Sequence, residues 1–151
     1  VLDARGSTKS AHAPPTCGVN WIGWSADGRY LGATEESYPR CLWIWEAGIA
    51  RLVDLMVQLE SITCAQWRPM VEQDGIKSRE NVLAFCCGTP ILYFWSDVRG
   101  LFKRDDLFAS NEHNIFNFHS LRWSKGGKMI LLKGKESHAI CHFAPNESVT
   151  T

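Results

Sequence analysis

Apolar and polar residues alternate along the first well-patterned stretch of the chain. Val19–Trp24 and Tyr30–Thr34 are two such runs, and Asp27-Gly28 lies between them. A period of two predicts strands, and Asp-Gly predicts a hairpin turn because glycine takes positive φ at little cost. We expect Pro39 to stop the pairing, after which Cys41–Trp45 predicts a third strand. The pattern therefore predicts an antiparallel meander.

Two further stretches repeat this succession of strand, hairpin, returning strand and third strand. The predicted strands are Ile62–Trp67, Asn81–Cys87 and Ile91–Trp95 in the second unit, and Phe118–Trp123, Met129–Lys133 and Ala139–Phe143 in the third. The aromatic residues Trp45, Trp95 and Phe143 that close the third strands recur at steps of 50 and 48 residues. A period of about 40–50 residues with four strands per unit is typical of a β-propeller blade.

Outer fourth strands and insertions complete the pattern. Ile49–Leu59 and Leu101–Phe108 are candidate fourth strands, although the first is also compatible with a helix. Met70–Glu80 lengthens the second hairpin loop, and Asp97–Asn114 lengthens the connection between the second and third units. The fold class predicted is all-β, with three degenerate four-stranded blades.

Composition narrows the function classes. The chain has 151 residues, of which 45% are hydrophobic, and 16 basic residues balance 16 acidic ones. Such a chain can bury a core, and it has no global charge that would recruit nucleic acid or an anionic membrane. No apolar run approaches the about 20 residues that span a bilayer, and the first residues lack a signal-peptide pattern. We expect a cytoplasmic location.

The sequence contains few side chains in the arrangements that are typical of metal sites or catalytic sites. Six cysteines lie mostly within apolar strand patterns, which predicts buried, reduced thiols. Cys86-Cys87 and His138-x-x-Cys141-His142 are the nearest approach to metal ligands, but adjacent residues point to opposite faces of a strand. The sequence contains neither a phosphate-binding Gly-x-x-x-x-Gly-Lys loop nor a Gly-x-Ser-x-Gly elbow. We therefore expect no enzyme activity, no cofactor and no metal.

Trp24–Thr34, followed by Leu42–Glu46, resembles a WD repeat: a hairpin, a middle strand, and a third strand that ends in a tryptophan and an acid. The chain departs from that pattern at Glu46, at Ser96 and at Phe143, which stands where a third tryptophan is usual. With these departures, aromatic packing is expected to hold the blades together. Seven tryptophans suggest a cage for cations or bases, but their recurrence favours the core. Core positions are predicted for Trp24, Trp67 and Trp123, and for Trp45 and Trp95, whereas Trp21 and Trp43 are expected to face the gap between blades.

The order of the three units is similar to the C-terminal part of a family of centrosomal and spindle-pole WD-repeat proteins. The matching segments are Gly28–Thr34, Trp43–Trp45, Gln66–Pro69 and Leu92–Ser96. This resemblance implies a non-enzymatic scaffold that acts in microtubule anchoring, spindle assembly or cilium formation at centrosomes or spindle poles. It also implies two partners, a coiled-coil microtubule-anchoring protein and a minus-end kinesin.

The predicted domain organisation is a flexible linker at 1–17, a partial propeller at 18–144 and a polar tail at 145–151. The blades are expected at about 18–60, 61–110 and 111–144. Because propellers close with about 4–8 blades, three blades cannot close a ring without leaving unpaired edges. We therefore expect further blades upstream of Val1.

The loops between the middle and third strands are the predicted interaction surface. Glu35–Arg40, Gly88–Pro90 and Lys133–Ser137 should emerge on one rim, and loops on rigid propellers carry binding residues. Tyr38 and Arg40 are residue types enriched at binding hot spots. The candidate partner-binding residues are Glu35, Glu36, Tyr38, Arg40, Thr89, Pro90, Lys133 and Lys135.

Two alternatives remain open at the level of sequence. The insertion Met70–Glu80, on the opposite rim, is a second candidate surface or a tolerated insertion. The protein is alternatively a nucleic-acid-associated WD-repeat adaptor, or a module that binds a metal through its Cys and His residues.

Overall fold

The computed structural model describes residues 18–73, 76–77, 80–104 and 118–143. In this part of the chain the structure is all-β, apart from one short 3-10 turn at Ala47–Ile49. The strands form three antiparallel sheets and a two-stranded ribbon. The predicted fold class is confirmed. The predicted linker 1–17 and tail 145–151 lie outside the described residues.

The first sheet contains four strands in sequence order. They are β1 (Val19–Trp24), β2 (Tyr30–Glu35), β3 (Tyr38–Glu46) and β4 (Arg51–Val57). The segment Ile49–Leu59, compatible in sequence with a helix, forms the outer strand β4. The hairpin between β1 and β2 turns at Gly28, whose φ is 73°.

The prediction that Pro39 stops the pairing is wrong. Strand β3 begins at Tyr38, which pairs with Glu35. A register shift between Ala33 and Glu35 leaves Pro39 out of the ladder, so its missing N–H removes no strand bond. The Pro39 carbonyl instead accepts a hydrogen bond from the Ile62 N–H at 2.8 Å.

The second and third sheets repeat the same antiparallel order. The second sheet consists of β5 (Cys64–Trp67), β8 (Val82–Cys86), β9 (Leu92–Ser96) and β10 (Gly100–Arg104), and the third of β11 (Phe118–Trp123), β12 (Met129–Gly134) and β13 (His138–His142). The Met70–Glu80 insertion holds the ribbon of β6 (Glu72–Gln73) and β7 (Ile76–Lys77). The predicted strand Leu101–Phe108 is present as far as Arg104, and its remainder lies outside the described residues.

The second sheet lies between the other two, and strand β8 is buried on both of its faces. Val82, Ala84 and Cys86 pack in one core cluster with the third sheet, whereas Leu83 and Phe85 pack in another with the first sheet. Side chains alternate between the two faces of a strand, so β8 contributes to both interfaces. The sheets are therefore stacked face to face, as propeller blades are.

In the second and third sheets, the tryptophan that ends the sheet's first strand links that sheet to the one before it. The Trp67 indole N–H donates to the Gly23 carbonyl at 2.8 Å, and the Trp123 indole N–H donates to the Gln66 carbonyl at 3.1 Å. Each acceptor immediately precedes the corresponding tryptophan of the preceding unit, because Gly23 precedes Trp24 and Gln66 precedes Trp67. We call these two contacts the backward indole bonds.

Aromatic packing supports the same interfaces, as predicted. The Trp95 ring lies edge-on to Tyr30 at 5.4 Å and to Trp67 at 5.8 Å between ring centroids. At the other interface, Phe94 of the second sheet lies 5.2 Å from Phe143 of the third between ring centroids, in a tilted arrangement. Such aromatic pairs contribute about 0.5–1.5 kcal/mol each beyond the burial of their area.

The prediction of core positions is confirmed for three tryptophans and wrong for two. Trp67, Trp95 and Trp123 are 7%, 2% and 8% exposed. Trp24 and Trp45 are 57% and 37% exposed, because they lie on the face of the first sheet that no described sheet covers. Other exposed apolar side chains on this outer face are Ile22, Leu52, Leu55 and Val57.

Trp21 and Trp43, the two tryptophans predicted to face gaps between blades, have different surroundings. Trp21 packs against the core between the first and second sheets. A Cβ atom at Gly23 or Gly32 would lie 2.7 or 2.9 Å from the Trp21 ring, so both positions need glycine. Trp43 is half-buried and contacts Tyr38 edge-on, with 6.2 Å between ring centroids.

These sheets are part of a β-propeller, and the outer faces of the first and third sheets are its two ends in the described part of the chain. On the third sheet, Met129, Leu131 and Ile140 are 41%, 44% and 64% exposed. Apolar faces of this kind are covered when a further sheet packs on them.

The contrast between the buried strand β8 and the exposed connection after β4 predicts the effect of two leucine substitutions. Leu83, 0% exposed, should cost about 2–5 kcal/mol in the free energy of unfolding when changed to Ala, because a cavity opens between two sheets. Leu59, 90% exposed, should cost less than about 0.5 kcal/mol when changed to Ala. Urea denaturation followed by tryptophan fluorescence measures both, and equal losses would contradict the central position of β8.

Candidate functional site

The first predicted interaction loop is the turn between β2 and β3. Hydrogen bonds join this turn to the connection between β4 and β5. The Gln58 N–H donates to the Arg40 carbonyl at 2.8 Å, and the Arg40 side chain donates to the Leu59 carbonyl at 3.4 Å. The β4–β5 connection therefore lies beside this turn at the edge of the first sheet.

Thr63 links this edge to the two other sheets. Its N–H donates to the Cys86 carbonyl at 2.9 Å, and its hydroxyl oxygen lies 2.8 Å from the Phe118 carbonyl. Cys86 ends the strand that leads to Gly88–Pro90, and Phe118 pairs with Gly134 beside Lys135. The three predicted loops thus lie on one edge of the stacked sheets. We call this edge the turn rim: residues 35–40, 58–63, 87–91 and 133–138.

The eight predicted residues occupy three successive turns of this rim. Glu36, Tyr38, Arg40, Pro90, Lys133 and Lys135 are exposed, and Glu35 and Thr89 are half-buried. Tyr38 is 58% exposed although its ring contacts Trp43. The Thr89 hydroxyl is buried and has no hydrogen-bond partner among the described residues. Arg40 is exposed, and its side chain also donates a hydrogen bond to the Leu59 carbonyl.

A cavity of about 220 Å³ opens at the turn rim between the first and second sheets. It is lined by Asn20, Trp21, Thr34, Ile62, Thr63, Cys64 and Ala65. Asn20, Thr63 and Cys64 are not among the site residues predicted from the sequence. Their positions at the rim ends of β1 and β5 were a usable signal, because the starts of these two strands are neighbours in successive blades.

The opposite edge, where β1 turns into β2, holds a polar cluster between the first two sheets. The Asn81 side-chain amide donates to Asp27 Oδ2 at 2.8 Å and to Asp97 Oδ2 at 3.1 Å. Burial by itself would raise the pKa of Asp27, but hydrogen bonds from Asn81, the Arg29 N–H and Ser25 outweigh it and hold that pKa below its ordinary value. The amide therefore separates two carboxylates and joins the two sheets.

Arg68 makes a second connection at this opposite edge, between the second and third sheets. Its Nε donates to the Gly127 carbonyl at 2.7 Å, and its guanidinium lies 4.8 Å from the Phe143 ring centroid. Burial lowers the pKa of Arg68. Residues 74–75 and 78–79 of the insertion Met70–Glu80 lie outside the described residues, so this second candidate surface stays a prediction.

The two departures from the WD pattern in the first two units have local structural contacts. Glu46 forms ion pairs with Arg51 at 2.7 Å and with Arg29 at 3.2 Å. Hydrogen bonds from Arg51 and then Arg29 lower the pKa of Glu46. Ser96 is buried, and its hydroxyl accepts the Arg99 N–H at 2.9 Å. Both residues thus stabilise turns of their own blade.

Metal-ligating side chains do not converge in the part of the chain that the structure describes. No group of three or more His, Cys, Asp or Glu residues there has the geometry to hold a metal ion. Cys86 and Cys87 pack in opposite interfaces, and burial raises the pKa of the Cys87 thiol to about 12. Among the described residues there is also no apolar helix of membrane-spanning length.

Removal of the Asn81 amide should lower the stability of the fold and raise the pKa of a carboxyl group at the same time. Asn81, 6% exposed, should cost about 1–3 kcal/mol in the free energy of unfolding when changed to Ala. The pKa of Asp27 should rise, because the largest of the interactions that lower it is lost. A carboxyl NMR titration and urea denaturation measure the two effects.

The lowered pKa of Asp27 also predicts how the stability of the fold should depend on pH. Because the folded protein holds the pKa of Asp27 below 3.8, this carboxylate stabilises the fold above that pH, and the stabilisation is lost as the pH falls through the lowered value. The Asn81→Ala variant should lose stability less steeply in that acidic range. Asn20→Ala, at an exposed asparagine, is the matched control. An unchanged Asp27 pKa in Asn81→Ala would contradict the prediction.

Comparison with known proteins agrees with this architecture. No protein-family model matches the chain. It is 24% identical over 139 residues to the mouse WD repeat-containing protein WRAP73, covering 92% of this chain and 27% of that protein. It is 21% identical over 144 residues to an uncharacterized WD repeat-containing protein of Schizosaccharomyces pombe, covering 89% of this chain and 28% of that protein. The chain thus spans about a quarter of the length of these curated relatives.

Solved structures share the fold. A chain of the crystal structure of the mitotic checkpoint complex superimposes with a TM-score of 0.57 at 16% identity, over 83% of this chain and 36% of that one. The C-terminal WD40 domain of Sif2 superimposes with a TM-score of 0.56 at 13% identity, over 83% of this chain and 34% of that one. Together with the three stacked blades, these similarities support a WD-repeat protein, and the fold is that of part of a WD40 propeller.

Proposed function

We propose that this protein is a non-enzymatic scaffold that binds other proteins on the turn rim. The observation that carries the proposal is that loops from three blades occupy one edge of the stacked sheets, with exposed charged side chains on the first and third blades and an exposed tyrosine on the first. Backbone hydrogen bonds through Pro39, Arg40 and Thr63 hold this edge in place. A preorganised surface binds with a smaller entropy cost than a flexible one.

The charge of the turn rim suits a partner with mixed charges. Glu35 and Glu36 lie on the first blade, and Lys133 and Lys135 lie on the third. Tyr38 stands on the first blade as an exposed aromatic anchor. Exposed Arg40 adds a positive charge to the first blade and exposed Glu136 a negative charge to the third. A protein segment that crosses the rim would therefore meet side chains of both signs on these two blades.

The cellular role we propose is microtubule anchoring, spindle assembly or cilium formation, in the cytoplasm at centrosomes or spindle poles. Its support is the succession of motifs described above and the similarity to the mouse WD repeat-containing protein WRAP73. The proposed partners are a coiled-coil microtubule-anchoring protein and a minus-end kinesin. Long helical partners present the regularly spaced charged side chains that a mixed-charge rim can bind.

We further propose that other blades of the same protein cover the outer face of the first sheet. Trp24 occupies in its unit the position that Trp67 and Trp123 occupy in theirs, but it is 57% exposed. Both equivalent tryptophans donate backward indole bonds to the preceding sheet. If Trp24 makes the same bond as its two equivalents, a carbonyl of a preceding sheet accepts its indole N–H.

Substitution at the turn rim tests the scaffold proposal. In the intact protein, Tyr38→Ala should weaken binding of the coiled-coil partner by about 10-fold or more, as loss of a hot-spot aromatic does. Arg40→Ala should weaken it as well. The control is Lys128→Ala, an exposed residue beside the opposite edge. A quantitative pull-down with purified partner measures the change. If Tyr38→Ala and Arg40→Ala both recover the partner as the unchanged protein does, the turn rim is not the binding surface.

Paired tryptophan substitutions test the preceding blade. Phenylalanine keeps most of the ring but lacks the indole N–H, so Trp67→Phe should cost about 1–3 kcal/mol in the free energy of unfolding. In the protein with its preceding sequence present, Trp24→Phe should cost a similar amount. Chemical denaturation of both variants provides the comparison. A near-zero cost for Trp24→Phe beside a clear cost for Trp67→Phe would show that no sheet accepts this indole.

A further inference from the structure

Two cysteine thiols face each other across neighbouring strands of the second sheet. Cys64 of β5 and Cys86 of β8 are direct register partners. Residues opposite each other in an antiparallel ladder place their side chains on the same face. The two thiols share a side-chain hydrogen bond, and both cysteines are free.

The two thiols differ in access to solvent. Cys86 is 0% exposed, whereas Cys64 is half-buried at the start of β5, next to the turn rim. The Thr63 hydroxyl lies 4.0 Å from the Cys64 sulfur. A small oxidant can therefore reach Cys64 before Cys86.

The chemistry of the pair assigns different roles to its members. The hydrogen bond from Cys86 lowers the pKa of the Cys64 thiol, and the Thr63 hydroxyl contributes in the same direction. The interaction with Cys64, together with burial, raises the pKa of the Cys86 thiol, so Cys86 keeps its proton. The thiolate is the nucleophilic form of cysteine, which makes Cys64 the member that reacts first.

We propose that Cys64 and Cys86 are a peroxide-sensitive thiol pair that forms a reversible disulfide between β5 and β8. Nothing in the scaffold function requires this pair, so the two proposals stand or fall separately.

The reaction takes place in two steps. The Cys64 thiolate sulfur attacks one oxygen of hydrogen peroxide, the O–O bond breaks, and hydroxide leaves, which gives a sulfenic acid at Cys64. The hydroxide released in this step takes the proton of Cys86 and becomes water. The Cys86 thiolate sulfur then attacks the Cys64 sulfur, the S–O bond breaks, and a second hydroxide leaves, which is protonated to water by the proton that Cys64 gave up when it ionised. Two thiols lose two electrons, and hydrogen peroxide is reduced to two waters.

The strand geometry permits this bond. Directly opposed residues have Cα atoms about 4.5–5.5 Å apart, within the about 4.4–6.8 Å that disulfides span. Their Cβ atoms are about 4.5–5.5 Å apart, slightly more than the about 3.5–4.5 Å of a disulfide, so β5 must move towards β8. Disulfides that hold strain are more easily reduced, which suits a reversible bond in a reducing compartment.

The other described cysteines are less well placed. Cys41 pairs with Val57, and Cys87 packs in the opposite interface. Cys141 shares the core cluster of Cys86 but belongs to the third sheet, where its register partner is Ile130. Only Cys64 and Cys86 are opposed on adjacent strands among these described residues.

Peptide mapping of the intact protein tests the proposal. The reduced protein is treated with one to two equivalents of hydrogen peroxide, blocked with iodoacetamide and digested without reduction. We expect a peptide that contains Cys64 linked to one that contains Cys86, a fall of about two free thiols per molecule, and full recovery with dithiothreitol. Because Cys87 adjoins Cys86, the digest is repeated with Cys87→Ser to assign the bond.

Two serine variants serve as controls. Cys64→Ser should abolish both the sulfenic acid, detected with dimedone, and the cross-linked peptide, whereas Cys41→Ser should leave both unchanged. The result in the unchanged protein is informative even if a variant folds poorly. A link from Cys86 to Cys141, a link through Cys87, or no intramolecular link at all would overturn the proposal.

Discussion

The backward indole bond is the interaction on which the rest of this structure depends. A tryptophan buried between two sheets must pair its indole N–H, because an unpaired buried donor costs about 1–3 kcal/mol. Trp67 and Trp123 both donate this N–H to the carbonyl of the residue that precedes the tryptophan of the previous unit. The bond sets the position of each sheet along its neighbour, and the aromatic rings then fill the space between the sheets. The repeat in sequence is thus also a repeat of one contact.

That stacking decides where the reactive and exposed groups lie. Once successive sheets are aligned, the ends of their inner and middle strands meet at one edge, and Thr63 bonds to the carbonyls of Cys86 and Phe118. The same alignment brings the exposed Tyr38, the small cavity and the Cys64–Cys86 pair to the turn rim or next to it. At the other edge the Asn81 amide lies between two carboxylates and donates a hydrogen bond to each. Internal polar pairs therefore occupy one edge, and the other edge presents exposed side chains.

Much of the fold could be predicted because hairpin signals and alternation are local properties. Gly28 takes positive φ as the Asp-Gly pair predicts, and the strands on either side of it are present. The start of β3 could not be predicted, because a register shift accommodates Pro39 and depends on the partner strand. The prediction for Trp24 and Trp45 was wrong for a related reason, since a periodic pattern identifies an apolar face but does not identify what covers it. For the candidate site, the loops could be predicted from strand order, whereas the cavity and Thr63 depend on contacts between different sheets.

The sequence by itself determined the repeating unit, the strand order and the rim on which the loops emerge, because these follow from periods of two within strands and about 40–50 between blades. Only the tertiary structure decided which tryptophans are buried, which carboxylates share the Asn81 amide, and which cysteine faces which. The physical reason is the distance along the chain. Gly23 and Trp67 are 44 residues apart, and Thr63 and Phe118 are 55 apart, so each contact exists only after two sheets have packed.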